Sequence, residues 1–162
     1  MKMVLWCIFW SVSTTVPGLT PSRVEPPFTV TITADHPTPK VGEPVMIHIA
    51  LQSVSRKQIT IPQERHVGTR GEFNYRITVV HVDGSAVPDT AEGIMLKNGT
   101  YAGEFSEIVN QLQFGETIKE DADLNNVVEI TSGGYYAVQV ERTLGLRVGS
   151  GIRSNKLIIR VK

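Results

Sequence analysis

The stretch "GYYAVQVER", Gly134–Arg142, alternates with period two. Tyr136, Val138 and Val140 fall on one side, and Ala137, Gln139 and Glu141 on the other. Alternation of this kind, carried by β-branched and aromatic residues, is the pattern of a half-buried strand. The Gly133-Gly134 pair ahead of it marks a corner. Gly134 supplies freedom at positive φ. A tyrosine just beyond such a corner buries its ring and returns its hydroxyl to nearby backbone, the tyrosine-corner arrangement of β-sandwiches. Tyr135 then points to the opposite face.

The same period recurs along the chain. In Phe28–Ala34, FTVTITA, Phe28, Val30 and Ile32 oppose threonines. In Val45–Leu51, Val45, Ile47, Ile49 and Leu51 oppose Met46, His48 and Ala50. Pro44 suits a strand start, having no ladder donor to offer. Gln58–Ile61 reads as a short strand stopped by Pro62. In Phe73–Val82, Phe73, Tyr75, Ile77 and Val79 share a face, and Asp83-Gly84 follows as a hairpin signal. Phe105–Phe114 is a further strand closed by Gly115-Glu116, and Lys156–Lys162 is the last, with Leu157, Ile159 and Val161 together. No segment shows a sustained helical period. The pattern predicts an all-β fold, a single antiparallel β-sandwich, with Val45–Leu51, Tyr75–Val82, Tyr136–Glu141 and Leu157–Val161 as central strands.

Ahead of this domain, residues 1–18 have the layout of a signal peptide. Lys2 is the positive n-region, Val4–Val12 an apolar run, and Ser11/Ser13 or Val16/Gly18 suit the −3/−1 positions. The alternative is an uncleaved anchor, although a spanning helix needs about 20 apolar residues. Residues 19–27 are Pro-rich and polar and read as a linker to a domain at 28–162. The single cysteine and both tryptophans lie in the first 18 residues. The remainder has no disulfide to staple it and lacks the cysteine pair and tryptophan of an antibody-type core. These features predict a secreted or periplasmic protein, in a bacterial setting, held by burial alone.

Three pieces together, "VGEPVMIHIAL", "GYYAVQVER" and "SNKLIIRVK", resemble a group of uncharacterised bacterial secreted immunoglobulin-like domains. The matches are Gly42-Glu43-Pro44-Val45 at an early strand, Gly134-x-Tyr136-x-Val138-Gln139 at a later one, and Ser154-Asn155 at the last. Leu112-Gln113-Phe114-Gly115-Glu116 matches the group's remaining motif loosely. The resemblance implies an immunoglobulin-like sandwich. It implies no catalytic or ligand residue, and residues 62–72 and 89–104 match nothing in the group.

The chemistry is read mainly by what fails. Sixteen basic and sixteen acidic residues balance, so global charge does not point to nucleic acid. The imbalance is local: the middle is acidic, from Glu104 to Glu129, and the end basic, from Arg142 to Lys162. His36, His48, His66 and His81 are widely spaced and give no zinc pattern, although His48 and His81 could meet across strands. Asp121, Asp123 and Asn125 alternate like the start of a calcium loop, but Asn126 and Ser132 stand where glycine and glutamate are needed. Asn98-Gly99-Thr100 reads as a turn before a glycosylation sequon. No nucleophile elbow, cofactor fingerprint or acid–base pair is signalled, so no catalytic residue, cofactor, metal or small-molecule substrate is expected. "GLRVGSGIRSNK", Gly145–Lys156, has the glycines and cations of a phosphate cradle, yet leads into a strand where a phosphate site needs a helix. It reads as a hairpin connection whose Arg147, Arg153 and Lys156 are candidates for contacting an acidic protein partner. The expectation is therefore a non-enzymatic secreted or envelope module that binds protein or serves structurally. The alternative is a small protease inhibitor using Gln63–Glu72 or Asp89–Gly103 as its protruding loop.

Overall fold

The structure, a computed structural model, describes residues 25–36, 38–66, 74–98, 105–142 and 151–162. The predicted signal segment, Phe73 and Arg147 lie outside them. The elements are β1 (Phe28–Ala34), β2 (Met46–Ser53), β3 (Ile59–His66), β4 (Arg76–His81), α1 (Ala91–Asn98), β5 (Phe105–Leu112), β6 (Thr117–Asp123), α2 (Leu124–Val127), β7 (Gly134–Arg142), β8 (Ile152–Arg153) and β9 (Leu157–Val161).

All pairings are antiparallel, and the sheets form a β-sandwich. One sheet has the order β1-β2-β6; the other joins β4, β7 and β8, with β9 also on β7. Alternation fills the space between them. Phe28, Val30 and Ile32 from β1 and Ile47, Ile49 and Leu51 from β2 meet Ile77 and Val79 from β4, Tyr136, Val138 and Val140 from β7, and Ile159 and Val161 from β9. Each such aliphatic side chain contributes about 1.5–3 kcal/mol by leaving water, which is how this domain holds without a disulfide.

Two polar devices tie the sandwich. The Tyr136 hydroxyl donates to the Ser132 carbonyl at 2.7 Å, four residues upstream, so the corner forms as the sequence predicts. Gly134 sits there at φ +156°. At the other device, Asn155 acts as a surrogate peptide unit. Its Oδ1 accepts from the Ile32 N–H at 2.8 Å and its Nδ2 donates to the Ile32 carbonyl at 3.1 Å. One side chain thus satisfies both backbone groups on the outer edge of β1 and fastens it to the strand opening β9. Neighbouring Ser154 accepts from the Val140 N–H at 3.0 Å. The Ser-Asn pair is a clamp between sheets as well as the opening of a strand.

The structure corrects several expectations. Pro62 does not stop β3, which runs on to His66 opposite Phe105. Its carbonyl is taken by Arg142 from outside the β3–β5 ribbon, so its ring nitrogen also faces the free edge, where no donor is needed. The predicted loop Gln63–Glu72 therefore begins as strand. The β3–β5 ribbon continues β2–β6 past a kink in which residues 53–58 face 113–116. Residues 89–104 are not all loop either: α1 occupies 91–98. Ile94 and Met95 are exposed, so no apolar stripe announces the helix. Its start rests on Thr90, whose Oγ1 accepts from the Gly93 N–H at 2.9 Å. Gly93 then packs so closely on α2 that a Cβ there would lie 1.9 Å from the Val127 carbonyl oxygen. Finally, β2 and β7 are central, whereas β4 and β9 are outer strands, and β8 is a strand the sequence reading did not separate from the connection.

Candidate functional site

The two outer faces of the sandwich differ in what they offer. On the β1-β2-β6 face, the threonines Thr31 and Thr33 flank His48, with Lys119 and Asp121 beyond. His48 Nε2 lies 2.5 Å from Asp35 and Nδ1 lies 2.6 Å from Asp121. Two carboxylates accept, so both ring nitrogens donate and the imidazolium is the form that fits. The Asp35 carboxylate first, then Asp121, raises the His48 pKa, and His48 lowers that of Asp35. Held this way the ring has no free lone pair with which to take a proton or bind a metal. His81 is elsewhere, its ring 4.7 Å from that of Tyr136, so the fold does not bring the two histidines together. Asp123 is also committed: its Oδ1 accepts from the Asn125 N–H at 3.1 Å and caps α2. Asn125 Nδ2 donates to the Glu43 carbonyl. Asp121, Asp123 and Asn125 are therefore directed to three separate structural tasks. Among the described residues, no group of three His, Cys, Asp or Glu side chains is placed to hold a metal ion.

Inside the sandwich a polar cluster joins the sheets where β3 leaves. The buried Arg142 guanidinium donates to the Asn74 and Pro62 carbonyls and lies 5.3 Å from the Tyr75 ring centroid. Asn74 Nδ2 donates to Glu120 at 2.9 Å. Burial first, then the Glu120 carboxylate, pushes the Tyr75 hydroxyl well above its ordinary range. Enclosed in this way, the cluster serves to satisfy the kinked ribbon's backbone.

The β4-β7-β9 face is built differently. Strand register arranges its outward residues in rows. Arg76, Glu141 and Arg153 form one row; Thr78 and Gln139 form the next, with Lys156 beside them one step before β9. Val80, Ala137 and Ile158 make the third row. Tyr135 and Arg160 make the fourth, where Val82 donates its N–H to the Tyr135 carbonyl at 3.0 Å. One end of the face is apolar and open, with Val82 54%, Tyr135 52% and Ile158 46% exposed. The Arg160 guanidinium lies 5.7 Å from the Tyr135 ring centroid. The other end is a basin of about 330 Å³ lined by Arg76, Thr78, Gln139, Glu141 and Arg153. Arg153 Nε donates to Glu141 at 2.9 Å. Among the described residues in these rows, Arg76, Arg153, Lys156 and Arg160 set four cations against the Glu141 carboxylate.

Of the three predicted contact residues, Arg153 and Lys156 lie on this face and Arg147 lies outside the described residues. Arg76, Tyr135, Ile158 and Arg160 were not singled out by sequence. The alternation that turned Tyr135 outward was the available signal; without register it could not be placed beside Arg160 and Val82.

No family model matches the chain, and no curated protein matches it. Among solved structures, it is similar to BslA, described as a bacterial hydrophobin, with a TM-score of 0.38 and 13% identity over 83% of this chain and 93% of that one. It is also similar to a chain in the complex of zinc α2-glycoprotein with prolactin-inducible protein from human seminal plasma, with a TM-score of 0.35 and 8% identity over 83% of this chain and 92% of that one.

Proposed function

We propose that the protein is a non-enzymatic binding module, exported to the periplasm or cell surface, that recognises a protein partner through the outer face of the β4-β7-β9 sheet. The observation that carries this reading is the composition of that face. An open apolar end centred on Tyr135 and Ile158 adjoins a basic end on one sheet face. Exposed aromatic and arginine side chains on a fixed scaffold are the elements from which protein interfaces draw their affinity. The excess of cations selects an acidic partner and speeds encounter with it. The signal-peptide-like pattern of residues 1–18 supports the location, and the commitment of His48, Asp121 and Asp123 to structural bonds supports a role without catalysis.

The protease-inhibitor alternative has less support. Part of each segment considered for a protruding loop is regular structure, in β3 and in α1. Capture from an envelope fraction tests the proposal. The wild type is expected to recover a partner that the triple variant Arg153→Glu, Lys156→Glu, Arg160→Glu does not. Equal recovery by both removes this face from the account.

A further inference from the structure

The basin at the polar end of the β4-β7-β8 face divides its charges unevenly. Arg153 bonds Glu141 through Nε alone, at 2.9 Å. The Glu141 carboxylate also lies over Gly151, where a Cβ would come within 2.0 Å of Oε1. The bare glycine backbone thus lets Glu141 lean to the β8 side, towards Arg153. Arg76 stands on the other side of Glu141, on β4. Among the described residues, none bonds or pairs with the Arg76 guanidinium. The Nη groups of Arg153 are open as well, its side chain being 69% exposed. Thr78 adds a hydroxyl to the lining, and Gln139 is fixed there by its own bond to the Ser154 carbonyl at 3.2 Å.

Open donors around a half-enclosed floor define the ligand that fits. A guanidinium fork matches the plane of a carboxylate, and the Arg153–Glu141 bond shows that the basin accommodates one. A dianionic phosphate would lie beside the Glu141 charge and be repelled about twice as strongly as a monoanion. The rows of the face supply a second element. Side chains on one face of a strand recur every second residue, about 6.6 Å apart. The row of Val80, Ala137 and Ile158 lies two rows beyond that of Arg76, Glu141 and Arg153. An extended segment running along the strands with a carboxylate over the first row therefore sets its side chain four positions on over Ile158.

We propose that this basin is a carboxylate subsite for an extended, acidic partner segment. Arg76, with the Nη donors of Arg153 and the Thr78 hydroxyl, takes an aspartate or glutamate side chain, and an apolar side chain four positions away rests on Ile158. The inference rests on the reading of this face as a protein-binding surface and names the group that the face reads. Glu141 has a role of its own in it. By occupying Arg153 in the free protein it competes with the incoming carboxylate, so its charge holds the affinity down.

Fluorescence anisotropy of short peptides, titrated with the full chain at low salt, tests this. One peptide of serines and threonines carries a neutral fluorophore, an aspartate and, four positions on, a phenylalanine. A second has asparagine in place of the aspartate. The first should bind saturably at about 1 mM or tighter and the second about tenfold more weakly. Arg76→Gln should cost the aspartate peptide about tenfold and the asparagine peptide little. Glu141→Gln should tighten the aspartate peptide about two- to fivefold, a gain that no folding defect produces. Lys119→Gln removes a cation from the opposite face and should leave binding unchanged. Equal binding of the two peptides, with both lost on Ile158→Ser, overturns the carboxylate subsite and leaves the face as a binding surface. So does an Arg76→Gln variant that binds no worse than Lys119→Gln, or a Glu141→Gln variant that binds no tighter. Capture of the chain by anionic vesicles, with neither peptide bound, also overturns the proposal and assigns the basin to lipid phosphate. Failure of the face itself shows separately, as equal partner recovery by wild type and triple variant.

Discussion

The clamp made by Asn155 gives a sharp quantitative expectation. Replacing it by alanine removes an acceptor 2.8 Å from the Ile32 N–H and a donor 3.1 Å from the Ile32 carbonyl. Ile32 is 2% exposed, and its two peptide groups have no second partner among the described residues. A buried backbone group left unsatisfied costs about 1–3 kcal/mol. Asn155 itself is exposed, so water reaches part of the space it vacates. The lower part of the range then applies, about 2–3 kcal/mol for both groups together. In urea, with a slope near 2 kcal/mol/M, the midpoint should fall by about 1–1.5 M at an unchanged slope. Asn155→Asp adds a directional test. An ionised carboxylate still accepts from the Ile32 N–H but presents an oxygen to the Ile32 carbonyl, whereas the protonated form can donate there. That variant should regain stability as pH falls through the carboxylate range. A loss below about 0.5 kcal/mol for the alanine variant, or equal losses for both variants at every pH, would refute the surrogate-peptide reading.

Other expectations follow from single contacts. Tyr136→Phe keeps the buried ring and loses the hydroxyl's bond to the Ser132 carbonyl and its 3.3 Å contact with Ser132 Oγ, so denaturant titration should report a loss of about 1 kcal/mol. Gly93→Ala raises helix propensity by about 1 kcal/mol yet drives a methyl group into the Val127 carbonyl. A net loss of about 1–3 kcal/mol is expected, and a gain would show that α1 and α2 do not touch there. The His48 staple sets a pH window. The raised His48 pKa gives stability that is full below the unfolded value near 6.5 and lost as pH rises through the higher folded value. The lowered Asp35 pKa gives stability present above the unfolded value near 3.9 and lost as pH falls through the lower folded value. The stability difference between wild type and His48→Gln should thus peak between about pH 4 and 6.5 and shrink on both sides; a difference independent of pH would contradict the imidazolium.

The sandwich was legible because period-two alternation reports burial directly. Phe28–Ala34, Val45–Leu51, Tyr136–Glu141 and Leu157–Val161 all fall in or alongside strands with the predicted faces inward. The tyrosine corner was legible because its bond is local, spanning four residues. What escaped depends on partners far away in sequence. Pro62 looked like a strand end because its free edge is defined by β5 and by Arg142, eighty positions on. The helix α1 carried no apolar stripe, and only Thr90 signalled its start. The candidate surface was half visible: Arg153 and Lys156 stood out as cations near a glycine-rich connection. Their grouping with Arg76, Tyr135, Ile158 and Arg160 exists only through register across β4, β7, β8 and β9.

Recognition is assigned here to one outer face of this sandwich. Site-specific photo-crosslinking in cells that make the protein tests it most directly. A photoreactive phenylalanine analogue replaces Tyr135 or Ile158 on the proposed face, or Thr31 on the opposite one. A discrete crosslinked protein is expected from positions 135 and 158 and none of that mass from position 31. The same product from position 31, with none from 135 or 158, would contradict it.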